Sequence, residues 1–312
     1  MRSKRRRPGL GAQLICAATV SILERMVMTS QPSIATRGRL PTPDGLALAV
    51  EHFGTGAPRV VFAHGFGQTR AAWTSCATAC AAAGWANLTY DARGHGESDW
   101  LESGEYAVDQ LGDDLRCVCA YAGAPPVVVG ASMGGLVGIA MAGSDAESCR
   151  ALILVDITPR WELAGIERIL DFMRAHPRGF GNLDEAAAAI ATYLPHRGAR
   201  KSPERLRKLL IEAADGRLRW HWDPRMLEPI AEDGARHQAD LLEAATRIRV
   251  PTLLISGAAS DVVSDATINE FLELVPHARH AIVPKAAHMV AGDENDQFTR
   301  HVLDFLASLE KI

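Results

Sequence analysis

Residues Val127–Gly135 read VVVGASMGG. A β-branched apolar run leads straight into a serine with glycines on both sides, and Leu136 to Ala142 behind it is rich in helix formers. A lone serine adds nothing to a core. Gly130 and Gly134, two residues before and two after it, point to a bend too tight for ordinary side chains. The expected local structure is a strand, a sharp turn carrying Ser132, and a helix. Free N–H groups at that helix's start face the serine and favour negative charge there.

Outward from this turn the chain alternates strand-like and helix-like segments. Leu46–Phe53, Arg59–Ala63, Ala86–Tyr90, Ala151–Ile157, Val250–Ser256 and Ala278–Val283 are short, apolar and bounded by turn residues. Trp73–Ala83 is alanine-rich with no helix breaker before Gly84, while Tyr106–Ala122 and Asp296–Lys311 carry helical spacing, as in Phe298, Val302, Phe305 and Leu309. Strands alternating with helices predict an α/β protein, its mostly parallel sheet covered on both faces. Between Arg160 and Arg247 the character changes to charged, alanine- and arginine-rich helix, with no β-branched apolar strand. That block is expected to be an inserted helical cap over the carboxyl ends of the strands, where open α/β sheets bind ligands. The expected organisation is an N-terminal extension (1–39), a core (40–159 and 248–312) and a cap (160–247).

Composition agrees with a large globular domain: 47% of the 312 residues are hydrophobic and 22% charged, enough apolar material for a sizeable core. The formal net charge of −4 gives no reason to expect nucleic acid or an anionic membrane as partner. Six cysteines are too sparse for a disulfide scaffold, and no histidine stands at zinc-finger spacing from them, so they read as small buried residues. The first 28 residues pair a basic run, Arg2–Arg7, with a mildly apolar one, Leu10–Leu23, as an export signal does. Gln13, the closing Glu24-Arg25 and the lack of a small-x-small cleavage site speak against that. Translation from Met26 or Met28 is the competing reading, and the expected location is cytoplasmic.

A serine hydroxyl is a poor nucleophile without a base, and attack on a carbonyl creates an oxyanion that needs donors. The strand–turn–helix motif takes one donor from the residue after the serine, Met133, and one from the loop after the RVVFA strand, Phe66 in His64-Gly65-Phe66-Gly67. The motif's chain order is serine, acid, histidine. His288, after the last strand and before the final helix, is therefore the expected base, while His64 is expected to be a structural hydrogen-bonder. The expected acid is Asp261, in the loop after Val250–Ser256. Asp156, near the end of Ala151–Ile157, is its rival, and Asp265 is a fallback at a helix start.

In order along the chain, His64-Gly65-Phe66-Gly67, Asp91-Ala92-Arg93-Gly94-His95-Gly96-Glu97-Ser98, Gly130-Ala131-Ser132-Met133-Gly134-Gly135, the Asp261 loop and His288 together resemble the α/β-hydrolase superfamily from about Leu40 onward. Ala287-His288-Met289-Val290-Ala291-Gly292-Asp293, with Trp220-His221-Trp222-Asp223-Pro224 and Val155-Asp156-Ile157-Thr158-Pro159, is similar to a subgroup of esterases, lactonases and cofactor-free peroxidase-like enzymes. An α/β-hydrolase fold with a serine nucleophile, an oxyanion hole and no metal or organic cofactor is what the resemblance implies. Epoxide hydrolases and haloalkane dehalogenases of this fold resemble each other in an elbow aspartate, whereas Ser132 implies acyl chemistry. One departure is alanine in place of the usual glycine before His288. The expected substrate is a small or medium ester or lactone, in a pocket near Trp161, Phe172, Trp220 and Trp222, with Met173 and Tyr193 beside them. Perhydrolysis, cleavage of a diketone C–C bond, and a slow-turnover ligand receptor are alternatives that the same residues allow.

Overall fold

The computed structural model describes residues 35–193, 206–207, 209–284, 286–288 and 296–311. Met26, Met28, Cys16 and the Met289–Asp293 motif lie outside them. Besides two short 3-10 turns, at Arg70–Trp73 and Pro224–Met226, the described residues include ten strands and nine α-helices. They are β1 (Ala35–Pro41), β2 (Ala47–Phe53), β3 (Val60–Ala63), α1 (Thr74–Ala82), β4 (Asn87–Tyr90), α2 (Val108–Tyr121), β5 (Val127–Ala131), α3 (Met133–Ser144) and β6 (Ala151–Val155). Then come α4 (Leu163–Arg174), α5 (Leu183–Tyr193), β7 (Leu210–Glu212), β8 (Leu218–Trp220), α6 (Leu227–Arg236) and α7 (Gln238–Arg247). The chain closes with β9 (Thr252–Gly257), α8 (Asp265–Leu274), β10 (Arg279–Val283) and α9 (Asp296–Leu309).

Eight strands form one sheet in the order β1-β2-β4-β3-β5-β6-β9-β10. The β1–β2 and β2–β4 pairs are antiparallel, and every other pair is parallel. The period of two along each strand feeds two cores. Val61, Val128, Leu152 and Leu154 face α2, α3, α7 and α8. Val60, Phe62, Val127, Val129 and Ile153 face α1 and α9. All of these strand residues are essentially inaccessible, so each contributes roughly 1.5–3 kcal/mol of burial.

The structure corrects three expectations. Residues 35–39, assigned to the extension, are part of β1. This is an edge strand with only Leu40 buried, so it lacks an apolar signature, and Arg37 pairs with Glu51 at 3.2 Å. The insertion is not purely helical. Leu210–Glu212 and Leu218–Trp220 make an antiparallel hairpin around a small core of Phe180, Ala186 and Leu210. Its strands are three residues long, too short to show a period. Finally, α7 lies within the stretch expected to be cap, yet it packs on α3 and buries Leu241, Ala244 and Ala245 in the main core. The contact is so close that a Cβ on Gly143 would lie 2.3 Å from the Ala244 carbonyl oxygen.

Candidate active site

The parallel register brings the carboxyl ends of β3, β5, β6, β9 and β10 to one edge. Ala63 pairs with Gly130, Ala131 with Val155, Val155 with Ile255, and Gly257 with Val283. Ser132 follows β5, Asp156 follows β6, and His288 lies five residues past β10. They converge although 156 residues separate the first from the last.

Ser132 has φ 47° and ψ −117°, a conformation costly for any residue with a Cβ. Strand and helix hold it there. A Cβ on Gly130 would lie 2.5 Å from the Gly134 carbonyl oxygen, and one on Gly134 would lie 2.4 Å from that of Ala63. The turn exists because both positions lack side chains. Its consequence is an Oγ directed at His288 Nε2, 3.2 Å away. His288 Nδ1 lies 2.9 Å from Asp156 Oδ2. With Nδ1 donating to the carboxylate, Nε2 is left as the acceptor for the serine hydroxyl.

Asp156 is fully buried and also at positive φ, 51°. Its Oδ1 accepts the Gly257 N–H at 2.7 Å, and its Oδ2 accepts the Ser260 hydroxyl at 2.6 Å besides the histidine. Gly257 ends β9 and Ser260 lies in the loop after it, so the two donors fix the carboxylate toward His288 and satisfy its buried polar atoms. The acid expected on that loop, Asp261, does not reach the histidine. Its carboxylate pairs instead with Arg168 on α4. The loop turns the neighbouring Ser260 inward and Asp261 outward, so it supplies a donor to Asp156 rather than a carboxylate to His288. Asp265 sits in the first turn of α8, whose N-cap is Ser264. The His288 loop rests on β9's end, where Ala259 N–H donates to the Ala286 carbonyl at 2.9 Å. Ala287, the departure from the usual glycine, still leaves His288 within reach of both partners.

Met133 opens α3, so its N–H is one of the four that a helix start leaves without an intrahelical partner. Phe66 lies between two N–H groups already in use: Gly65 donates to Gln68 Oε1 at 3.3 Å and Gly67 to His95 Nε2 at 3.1 Å. Both Phe66 and Met133 line the cavity beside Ser132. The loop below them is braced by buried polar groups. His64 Nε2 accepts the Ala92 N–H at 2.9 Å, Arg93 forks onto Asp114 at 2.7 Å, and Asp91 accepts the Arg70 and Glu97 N–H groups at 2.7 and 2.9 Å. Burial holds His64 below the usual histidine range, and burial together with the neighbouring His64 holds His95 well below it. Neutral rings suit their roles as acceptors.

A cavity of about 470 Å³ opens at Ser132 and His288. Trp161, Phe172, Met173, Tyr193 and Trp220 line it, and Phe172 stacks on Tyr193 at 4.2 Å. Trp222 does not line it. It is buried behind the His64–Gly67 loop with its ring 5.3 Å from that of Phe66, because residue 222 bridges to His95 and turns inward. Among the described residues no cluster of three or more metal-ligating side chains is found, and no helix is long and apolar enough to cross a membrane.

Comparison with known proteins agrees with this architecture. The family described as alpha/beta hydrolase fold matches residues 58–294. A 3-hydroxybutyrate-oligomer hydrolase of Cupriavidus necator is 30% identical over 264 residues, covering 79% of this chain and 89% of the relative. Esterase Rv0045c of Mycobacterium tuberculosis is 30% identical over 273 residues, covering 83% and 87%. In fold, the crystal structure of E-2-(acetamidomethylene)succinate hydrolase superposes with a TM-score of 0.77 at 22% identity, over 88% of this chain and 99% of that one. The chain belongs to the α/β-hydrolase family.

Proposed function

We propose that the protein is a serine hydrolase that cleaves a carboxylic ester or lactone through an acyl-enzyme. The observation that carries this is the continuous hydrogen-bonded chain from Ser132 Oγ through His288 to buried Asp156. The esterase and oligomer-hydrolase relatives support the reaction class.

His288 Nε2 takes the serine proton as Oγ attacks the carbonyl carbon, and Asp156 stabilises the imidazolium without accepting its proton. The Phe66 and Met133 N–H groups receive the oxyanion, assisted by the α3 dipole. Collapse breaks the C–O bond to the alcohol, whose oxygen takes the proton from His288. Water then enters, gives a proton to His288 and attacks the acyl carbon. The second collapse returns the proton to Ser132 and frees the acid. No step draws on a metal or an organic cofactor.

The test is a p-nitrophenyl ester and lactone panel with wild type and Ser132→Ala, alongside labelling with a fluorophosphonate. Expected are a single phosphonyl adduct on Ser132 and a loss of turnover by about 10⁴-fold or more in the variant. Turnover that persists in Ser132→Ala, or an adduct elsewhere, would overturn the proposal.

A further inference from the structure

The cavity does not end beside the serine. It continues along the face of α3 turned away from the sheet, where Met133, Leu136, Ala140 and Ser144 stand at helical spacing. Met133, Leu136 and Ala140 stay half-buried although α7 packs on this helix, because their remaining accessible surface faces the cavity. The opposite wall is Ile230 and Ala231 from α6 and Ala244 from α7. The ionic side chains on the lining, Asp109, Arg116, Asp240 and Arg247, are all exposed, and their charges cancel. Arg116 reaches Ser144 Oγ at 3.3 Å and Arg247 the Gly143 carbonyl at 3.1 Å, which marks the outer end at the last turn of α3.

This shape has a length. From Met133 to Ser144 the helix advances about 16 Å, at about 1.5 Å per residue. An all-trans hydrocarbon chain, with bonds of about 1.5 Å at about 111°, advances about 1.25 Å per bond, so about thirteen bonds fill that distance. The chemistry at Ser132 decides which part of the substrate runs there. The leaving oxygen must face His288 Nε2 to receive its proton, and the carbonyl oxygen must lie at the Met133 N–H. The remaining substituent, the acyl chain, leaves from the head of α3. We propose that the acyl group is an unbranched apolar chain of about ten to fourteen carbons laid along α3 between core and cap. This rests on the ester-hydrolase reading of Ser132, narrows its substrate class from carboxylic esters in general to those of medium- and long-chain acids, and replaces the small substrate that the sequence alone led one to expect.

The experiment holds the leaving group fixed as p-nitrophenol and lengthens the acyl chain from acetate to hexadecanoate. In wild type, kcat/KM is expected to rise by about tenfold or more from butanoate to dodecanoate, since each buried methylene favours binding. Two plugs test the path from opposite walls, Ala140→Phe on α3 and Ala231→Phe on α6. Each is expected to lower the dodecanoate-to-butanoate ratio by about tenfold or more. Titration of dodecanoate into Ser132→Ala, with and without Ala140→Phe, reads the channel without turnover, and melting temperatures identify a plug that fails to fold. A wild-type preference for acetate, or an unchanged ratio in both folded plugs, would each overturn the proposal. If wild type hydrolyses no ester, the reading of Ser132 fails by itself, and the dodecanoate titration alone decides the channel, with absent binding or binding indifferent to the plug against it.

Discussion

Ser132 and Asp156 are the two non-glycine residues at positive φ among those described, at 47° and 51°, and both sit directly after a strand of the sheet. Backbone strain of that kind costs roughly 1–3 kcal/mol and persists where packing enforces it. Ser132→Gly is therefore expected to raise stability by about 1 kcal/mol in urea unfolding while removing turnover. A loss of stability would show that the turn is relaxed with its serine. Asp156 and Asp261 make a second contrast. Both follow strands that point at the site, so sequence order alone admits either, and their separation depends on which way a loop residue turns. Asp156→Asn would put an amide where Gly257, Ser260 and His288 all donate. It is expected to lower kcat by about 10³–10⁴-fold. Asp261→Asn removes only a partly exposed ion pair to Arg168, and kcat should stay within about threefold. Equal losses in the two variants would remove Asp156 from its assigned place.

At the level of elements, the β5–α3 turn is legible because its constraint is steric and local in sequence: only glycine fits where strand and helix touch. Gly134→Ala would drive a methyl group into the Ala63 backbone, which has no freedom to move within the sheet. A destabilisation of about 3 kcal/mol or more is expected, with loss of activity, measurable by chemical unfolding and ester turnover. A stable, active variant would mean that β3 and α3 are not locked together. The buried strands were equally readable, since VVFA and ALILV are apolar on both faces, as a covered parallel sheet requires. What escaped were elements whose signal is not local. β1 is a charged edge, the cap hairpin is too short for a period, and α7 declares itself core only through Gly143 on another helix. The inward turn of Trp222 and of Ser260 is likewise fixed by tertiary pairing, with no trace in residue spacing.

For the whole molecule, the loops that carry the site rest on buried imidazoles, and this couples stability to pH. His64, His95 and His221 are all essentially inaccessible. Burial lowers all three, His221 to about 4, with His64 further disfavouring charge on His95 and His221, while Asp91 works the other way on His64 and His221. His221 also has no hydrogen-bond partner for either ring nitrogen among the described residues. In the unfolded chain each titrates near about 6.5. Above that pH both states are neutral, and these groups impose no pH dependence. Below it the unfolded chain binds protons that the folded protein refuses, so stability falls, and for His221 the fall continues until the pH reaches about 4. Each refusing histidine adds a slope of about 1.4 kcal/mol per pH unit, or about 4 kcal/mol per unit while all three refuse. Urea unfolding should therefore give stabilities that are level from about pH 8 to 7 and decline steeply below about 6. Replacing His221 with leucine should make that decline shallower by about 1.4 kcal/mol per pH unit. Stability that stays level down to pH 5, or a slope indifferent to His221→Leu, would mean that these rings take up protons in the folded state and that the His64–Gly67 loop does not depend on their neutrality.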